Sequence, residues 1–126
     1  MAGDRLIIPR LKMNVGVSGG SRDKALRTGA WWHAGTAQPA EGGNTVLAGH
    51  RVRRVFARLS KVRPGDEIHL KWDDNVYRYR VTKVYTVDPS EVGILRQTGA
   101  EKLTLYTCIP RAFGNKRTVV VAEPAE

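Results

Sequence analysis

The segment from Leu103 to Cys108 predicts a β-strand that ends at the only cysteine of the chain. Apolar side chains alternate at Leu103 and Leu105, with β-branched and aromatic residues around them, a pattern typical of strands. Because proline cannot donate to a sheet ladder, the Ile109-Pro110 pair ends the strand directly after Cys108. We therefore expect Cys108 beside a loop, where a nucleophile is both held in place and accessible. A buried structural cysteine is the alternative that this segment leaves open.

Short strands separated by turns make up most of the chain. Over residues 68–87, apolar and polar residues alternate on both sides of a turn at 73–75, which predicts a β-hairpin. Two short helices are predicted, one over 21–29 and one over 52–59. Few helices and no repeat indicate an all-β sandwich or a closed barrel, and the pattern alone leaves both open. Further strands are predicted at Leu6–Pro9, Met13–Val17, Asn44–His50 and Lys116–Ala122.

The composition is that of an ordinary globular chain of 126 residues, of which 41% are hydrophobic and 26% are charged. This length fits one domain over residues 1–126, with an ordered core from about residue 6 to about residue 124. A lone cysteine excludes an internal disulfide framework and a cysteine-based zinc site. The formal net charge of +9 fits work beside an anionic membrane or wall polymer. Because the basic residues form no recognition module, we expect no nucleic-acid partner.

Two further segments place reactive types of side chain at the ends of predicted strands. Asn44 begins an apolar run that ends in Gly49-His50, and Arg117 opens a run of β-branched residues. A cysteine thiolate is a nucleophile, a histidine exchanges protons near neutral pH, and an arginine keeps rigid donors for an oxyanion. With Cys108, the chain therefore offers the side chains that acyl transfer requires.

These three segments together resemble the sortases, the cysteine transpeptidases of bacterial cell surfaces. The family signature Thr-Leu-x-Thr-Cys corresponds to Thr104–Cys108, the histidine of an Ala-Gly-His context to His50, and the arginine of the next strand to Arg117. The resemblance covers nearly the whole chain. It implies an all-β fold, an eight-stranded sortase-type β-barrel with one or two short helices, and so favours the barrel over the sandwich.

The resemblance also implies a mechanism and a substrate. Cys108 would attack the Thr-Gly bond of a Leu-Pro-x-Thr-Gly-like sorting signal, His50 would protonate the departing amine, and Arg117 would stabilise the oxyanion. The resulting thioester would pass its acyl group to an amine of a cell-wall precursor or a pilin lysine. Substrate contacts are expected from Thr107 in the signature and from the apolar residues of the preceding loop, Val92, Ile94 and Leu95.

No cofactor is expected. No metal is expected either, since the only adjacent acidic pair, Asp73-Asp74, is typical of a turn. We expect His33 to be solvated or stacked; the alternative is a position bordering the substrate groove. Of the adjacent Trp31 and Trp32, only one can face inward on a strand.

Members of the family usually carry an N-terminal membrane anchor and act at the extracytoplasmic face of the cell membrane. The sequence contains no apolar stretch long enough to span a bilayer. We therefore expect that Met1 begins an extracytoplasmic domain separated from its anchor. The residues do not fix the subfamily, for which class D and class E are the candidates.

We weigh three alternatives to this interpretation. A transpeptidase of the wall-crosslinking type would need a Ser-His-Gly-Cys motif, which is absent because Cys108 follows Tyr106-Thr107. A basic β-barrel that binds nucleic acid would show salt-dependent binding of oligonucleotides. A non-catalytic sortase-like module would hold a surface protein without a reactive Cys108.

Overall fold

A computed structural model describes residues 4–50, 59–88, 93–108 and 117–125. Its strands close into one barrel in the order β1-β2-β3-β4-β7-β8-β6-β5, which confirms the predicted eight-stranded barrel. The strands are β1 (Arg5–Ile8), β2 (Met13–Ser18), β3 (Ala30–Trp32), β4 (Asn44–His50), β5 (Glu67–Trp72), β6 (Asn75–Val87), β7 (Lys102–Cys108) and β8 (Arg117–Pro124).

Two of the pairings in the barrel are parallel, and the others are antiparallel. Strand β2 runs parallel to β3, and β4 runs parallel to β7. Strands β5 and β6 form the predicted hairpin, and β1 pairs with β5 to close the barrel. The hairpin turn is made by Asp73 and Asp74, whose φ angles of 50° and 67° fit a two-residue turn with left-handed backbone at both positions.

Helix α1 (Arg22–Thr28) confirms the helix predicted over 21–29. The hydroxyl of Ser21 accepts a 3.4 Å hydrogen bond from the backbone N–H of Lys24, and Gly29 ends the helix. Short 3₁₀ helices cover Pro9–Leu11, Leu59–Lys61 and Gly93–Leu95. The helix predicted over 52–59 lies outside the described residues apart from Leu59. Within the described ranges, the helices are too short or too polar to span a bilayer.

Alternating side chains of the strands supply two separate hydrophobic clusters. The inner cluster fills the barrel and includes Leu6, Ile68, Leu70, Tyr79, Leu103 and Leu105. The outer cluster packs strand residues against α1 and the 93–95 turn, and consists of Ala25, Leu26, Trp31, Val46, Ala48, Ile94, Tyr106, Val119 and Val121. Trp31 belongs to the outer cluster, whereas Trp32 packs against the inner one. The prediction that the two tryptophans face different ways is confirmed.

Candidate active site

Strands β4 and β7 run side by side in parallel, and their last residues are paired. The register begins with Asn44 opposite Lys102 and ends with His50 opposite Cys108. Adjacent strands lie about 4.8 Å apart, so the backbones at His50 and Cys108 are immediate neighbours. The fold thus brings together two of the three residues predicted to be catalytic.

Strand β8 lies on the other side of β7 and begins at Arg117. In this antiparallel pair, Tyr106 is opposite Val119. Cys108 lies two residues after Tyr106, at the end of β7, and Arg117 lies two residues before Val119, at the start of β8. His50, Cys108 and Arg117 therefore stand at one end of three adjacent strands.

Thr107, the residue directly before Cys108, links β7 to β8 by a hydrogen bond. Its side chain is 1% exposed, and its hydroxyl accepts a 3.0 Å hydrogen bond from the backbone N–H of Thr118. This bond holds the ends of the two strands together next to the site. A substrate contact by Thr107 stays a prediction.

A series of ring contacts leads from β3 to Arg117. The ring centroids of Trp31 and His33 are 4.7 Å apart, and those of His33 and Tyr106 are 6.4 Å apart. The guanidinium carbon of Arg117 lies 5.3 Å from the centroid of the Tyr106 ring, within the range of a cation–π interaction. Tyr106 therefore contacts both His33 and Arg117.

His33 is held in this series by its backbone. Its N–H donates to the carbonyl of Val46 at 2.9 Å, and its own carbonyl accepts from the hydroxyl of Thr36 at 2.8 Å. The ring is half-buried between its aromatic neighbours. Of the two environments expected for His33, solvated or stacked, its ring contacts favour the stacked one.

The apolar residues predicted to line the groove lie in and next to the 3₁₀ helix Gly93–Leu95. Ile94 is 7% exposed and belongs to the outer cluster, while Leu95 is half-buried and packs against that cluster. Val92 lies outside the described residues. Ile94 is thus packed as a core residue, and a role in the groove stays a prediction for all three.

Asn44 ties the 93–98 segment to β4, a role that sequence reasoning missed. Its side chain is fully buried, and Nδ2 donates to the carbonyls of Ile94 and Arg96 at 3.0 and 3.1 Å. The Gln97 side chain adds two more bonds, because its Oε1 accepts from the Asn44 N–H and its Nε2 donates to the Asn44 carbonyl. The only signal in the sequence was the Gly43-Asn44 pair before the apolar run.

The ion pairs in the described parts of the chain do not involve Arg117. They join Arg10 to Asp66 at 2.8 Å and His69 to Glu67 at 3.0 Å. Nor do three His, Cys, Asp or Glu side chains gather there in a way that would hold a metal ion. Among the described residues, the recorded contact of the Arg117 guanidinium is thus with the ring of Tyr106.

Comparison with known proteins agrees with this architecture. The family model described as Sortase domain matches residues 6–125. Sortase A of Listeria monocytogenes is 34% identical over 121 residues, which cover 94% of this chain and 54% of that protein. Sortase D of Bacillus subtilis is 30% identical over 119 residues, which cover 91% of this chain and 60% of that protein.

A solved structure of Streptococcus agalactiae sortase C1, in complex with MTSET, superposes with a TM-score of 0.87 at 26% identity. The match covers 98% of this chain and 67% of that one. The chain spans only 54% and 60% of the two curated relatives, so it corresponds to part of each. Since the family match extends over almost every residue and the barrel is shared, this chain belongs to the sortase family.

Proposed function

We propose that the chain is the catalytic domain of a cysteine transpeptidase that cleaves a sorting signal and transfers its acyl part to an amine. The observation that supports the proposal is the common end of β4, β7 and β8, where the backbones of His50 and Cys108 are paired and Arg117 begins the neighbouring strand. A thiol, an imidazole and a guanidinium carried by residues at this end of the barrel would supply the nucleophile, the proton donor and the oxyanion donor of acyl transfer.

In the first half-reaction, the Cys108 thiolate attacks the threonine carbonyl carbon of a Thr-Gly peptide bond. The tetrahedral oxyanion is stabilised by Arg117, and the C–N bond breaks as His50 gives a proton to the departing glycine amine. The product is a thioester on Cys108. In the second half-reaction, an incoming amine attacks the thioester carbon, its proton passes to His50, and Cys108 leaves as the thiolate.

The proposed substrate is a Leu-Pro-x-Thr-Gly-like signal on a surface protein, and the proposed acceptor is an amine of a wall precursor or a pilin lysine. The reaction would take place at the extracytoplasmic face of the cell membrane. Support comes from family membership and from the net charge of +9, which suits work beside anionic wall polymers. The EC class would be that of a thiol protease acting as an acyltransferase.

Intact-protein mass spectrometry tests the proposal. The chain is incubated with a peptide containing Leu-Pro-Glu-Thr-Gly, without an added amine. We expect an adduct with the mass of the acyl fragment ending in threonine, and we expect the Cys108→Ala variant to form none. An adduct on the alanine variant would remove Cys108 as the nucleophile. Persistent lack of adduct and cleavage across a panel of such peptides would overturn the proposal.

A further inference from the structure

We propose that Tyr106 is a positioning residue for Arg117, because its ring holds the guanidinium beside Cys108. The inference rests on the proposed function, in which Arg117 meets the oxyanion. It assigns a task to the variable position of the Thr-Leu-x-Thr-Cys signature, which is occupied here by tyrosine.

The strand register explains how the two side chains meet. Tyr106 is directly opposite Val119, and Arg117 lies two residues before Val119 on the same strand. Tyr106 and Arg117 are therefore diagonal neighbours on one face of the sheet, within reach of aromatic and long side chains. The 5.3 Å distance from the guanidinium carbon to the ring centroid is the outcome of this geometry.

The ring itself is firmly held. Tyr106 is 4% exposed and belongs to the outer cluster. His33 packs against it, and Trp31 packs against His33 while donating its indole N–H to the carbonyl of Gly20 at 3.1 Å. A ring fixed in this way offers the guanidinium one well-defined position.

An aromatic partner suits an oxyanion donor better than a carboxylate would. The negative face of a ring attracts the cation without occupying its N–H donors, whereas a carboxylate would accept from them and neutralise the charge. Neither ion pair of the described residues includes Arg117. A ring partner does not use the N–H donors, and fixing the guanidinium before the reaction reduces the reorganisation needed in the transition state.

A fluorination series tests the ring electrostatics without changing the packing. Tyr106 is replaced by phenylalanine and then by difluoro-, trifluoro- and tetrafluorophenylalanine through amber suppression, and kcat and KM are measured with a fluorogenic Leu-Pro-Glu-Thr-Gly peptide. Each fluorine weakens the negative face while the ring keeps nearly the same shape. We expect kcat to fall stepwise, by about tenfold over the series, with KM nearly constant.

The same series in an Arg117→Ala background is the matched control, where we expect no dependence on fluorine. If Arg117→Ala lowers kcat but fluorination of position 106 does not, the inference is wrong and the proposed function stands. If fluorination lowers kcat equally in both backgrounds, the ring acts by some route other than Arg117, and the inference is again wrong. If Arg117→Ala keeps wild-type kcat, both the inference and the proposed role of Arg117 are wrong.

Discussion

The hydroxyl of Thr104 donates a 2.7 Å hydrogen bond to Oδ1 of Asn44, and both side chains are buried. The bond joins β7 to β4 near the start of their parallel ladder, across 60 residues of sequence. His50 and Cys108 are paired at the other end of that ladder. Because a slip of one residue would turn every side chain to the opposite face, this buried bond helps to set the register of the site.

Replacing Thr104 by valine removes this hydroxyl with little change of shape. We expect Thr104→Val to lower the free energy of unfolding by about 1–2 kcal/mol, since Oδ1 of Asn44 is left buried without that donor. Urea unfolding at neutral pH measures the change.

Thr45→Val is the matched control. Thr45 is also fully buried, but its hydroxyl has no hydrogen-bond partner among the described residues. Removing an unsatisfied buried polar atom is neutral or stabilising, so we expect the free energy of unfolding to stay the same or rise. Equal destabilisation by the two substitutions would contradict a specific role for the Thr104 bond.

We expect Arg117→Lys to keep the fold and lower kcat by about 10²-fold or more, the size of effect expected on losing an oxyanion donor. Lysine keeps the charge but not the planar fork of donors. Peptide turnover and the circular dichroism spectrum are measured together. Arg78→Lys, at an exposed position of β6, serves as the control and should turn over normally. Near-normal kcat for Arg117→Lys would exclude Arg117 from the chemistry.

Substitutions at Ile94 and Leu95 distinguish a role in packing from a role in substrate binding. Ile94 is buried in the outer cluster, so we expect Ile94→Asp to lower the free energy of unfolding by about 3 kcal/mol or more. Leu95 is only half-buried, and we expect Leu95→Asp to raise KM for the peptide with a smaller loss of stability. Urea unfolding and steady-state kinetics measure both. A stable Ile94→Asp variant with a raised KM would show that Ile94 lines the groove instead.

Tyr79 should make stability depend on pH in the alkaline range. Its side chain is fully buried and donates to Oε2 of Glu101 at 2.8 Å. Burial, followed by the hydrogen bond to this carboxylate, raises the pKa of Tyr79 far above its usual value. In the unfolded chain, Tyr79 still loses its proton near pH 10. The contribution of Tyr79 to the free energy of unfolding is therefore complete below about pH 10 and is lost as the pH rises further.

The measurement compares wild type with Tyr79→Phe by urea unfolding at about pH 8 and about pH 11. We expect the free energy of unfolding of wild type, relative to that of the variant, to be lower at the higher pH. The expected decrease is about 1.4 kcal/mol, which corresponds to the one pH unit above 10. A constant difference would mean that Tyr79 ionises as easily in the folded chain as in the unfolded one.

Gly29 lies where two backbone segments approach closely. A Cβ at this position would lie 2.3 Å from the carbonyl oxygen of Gly16, and backbone cannot give way as a flexible side chain can. We expect Gly29→Ala to lower the free energy of unfolding by about 2 kcal/mol or more. Gly99→Ala is the control, because no heavy atom of the described residues, apart from its immediate chain neighbours, lies within 4 Å of a Cβ there. Equal melting temperatures for the two variants would contradict this account.

Sequence periodicity predicted the long strands well, because apolar and polar side chains rarely alternate over six or more residues outside a strand. The β5–β6 hairpin and the capped helix α1 follow from local turn and cap chemistry at Asp73-Asp74 and Ser21. Strand β3 was not predicted, since three residues carry no period and it forms by pairing with β2 and β4.

The candidate site was predicted as a set of residues, and its full arrangement depends on long-range strand pairing. The resemblance named His50, Cys108 and Arg117, whereas the pairing of β4 with β7 is a long-range contact that no local pattern reveals. The hydrogen bonds donated by the Asn44 side chain were missed for the same reason, because their acceptors, the carbonyls of Ile94 and Arg96, are about fifty positions away. The contact of Tyr106 with Arg117 likewise depends on the register of two strands.

The parallel pairing of β4 with β7 has a kinetic consequence. Parallel neighbours cannot be joined by a tight turn, so these strands meet only when the intervening sequence, which carries β5 and β6, brings them side by side. Pairings over such sequence distances are slow steps in folding. In a refolding reaction, the β5–β6 hairpin should therefore form well before β4 and β7 pair at His50 and Cys108. The proposed activity should appear only once this pairing has formed.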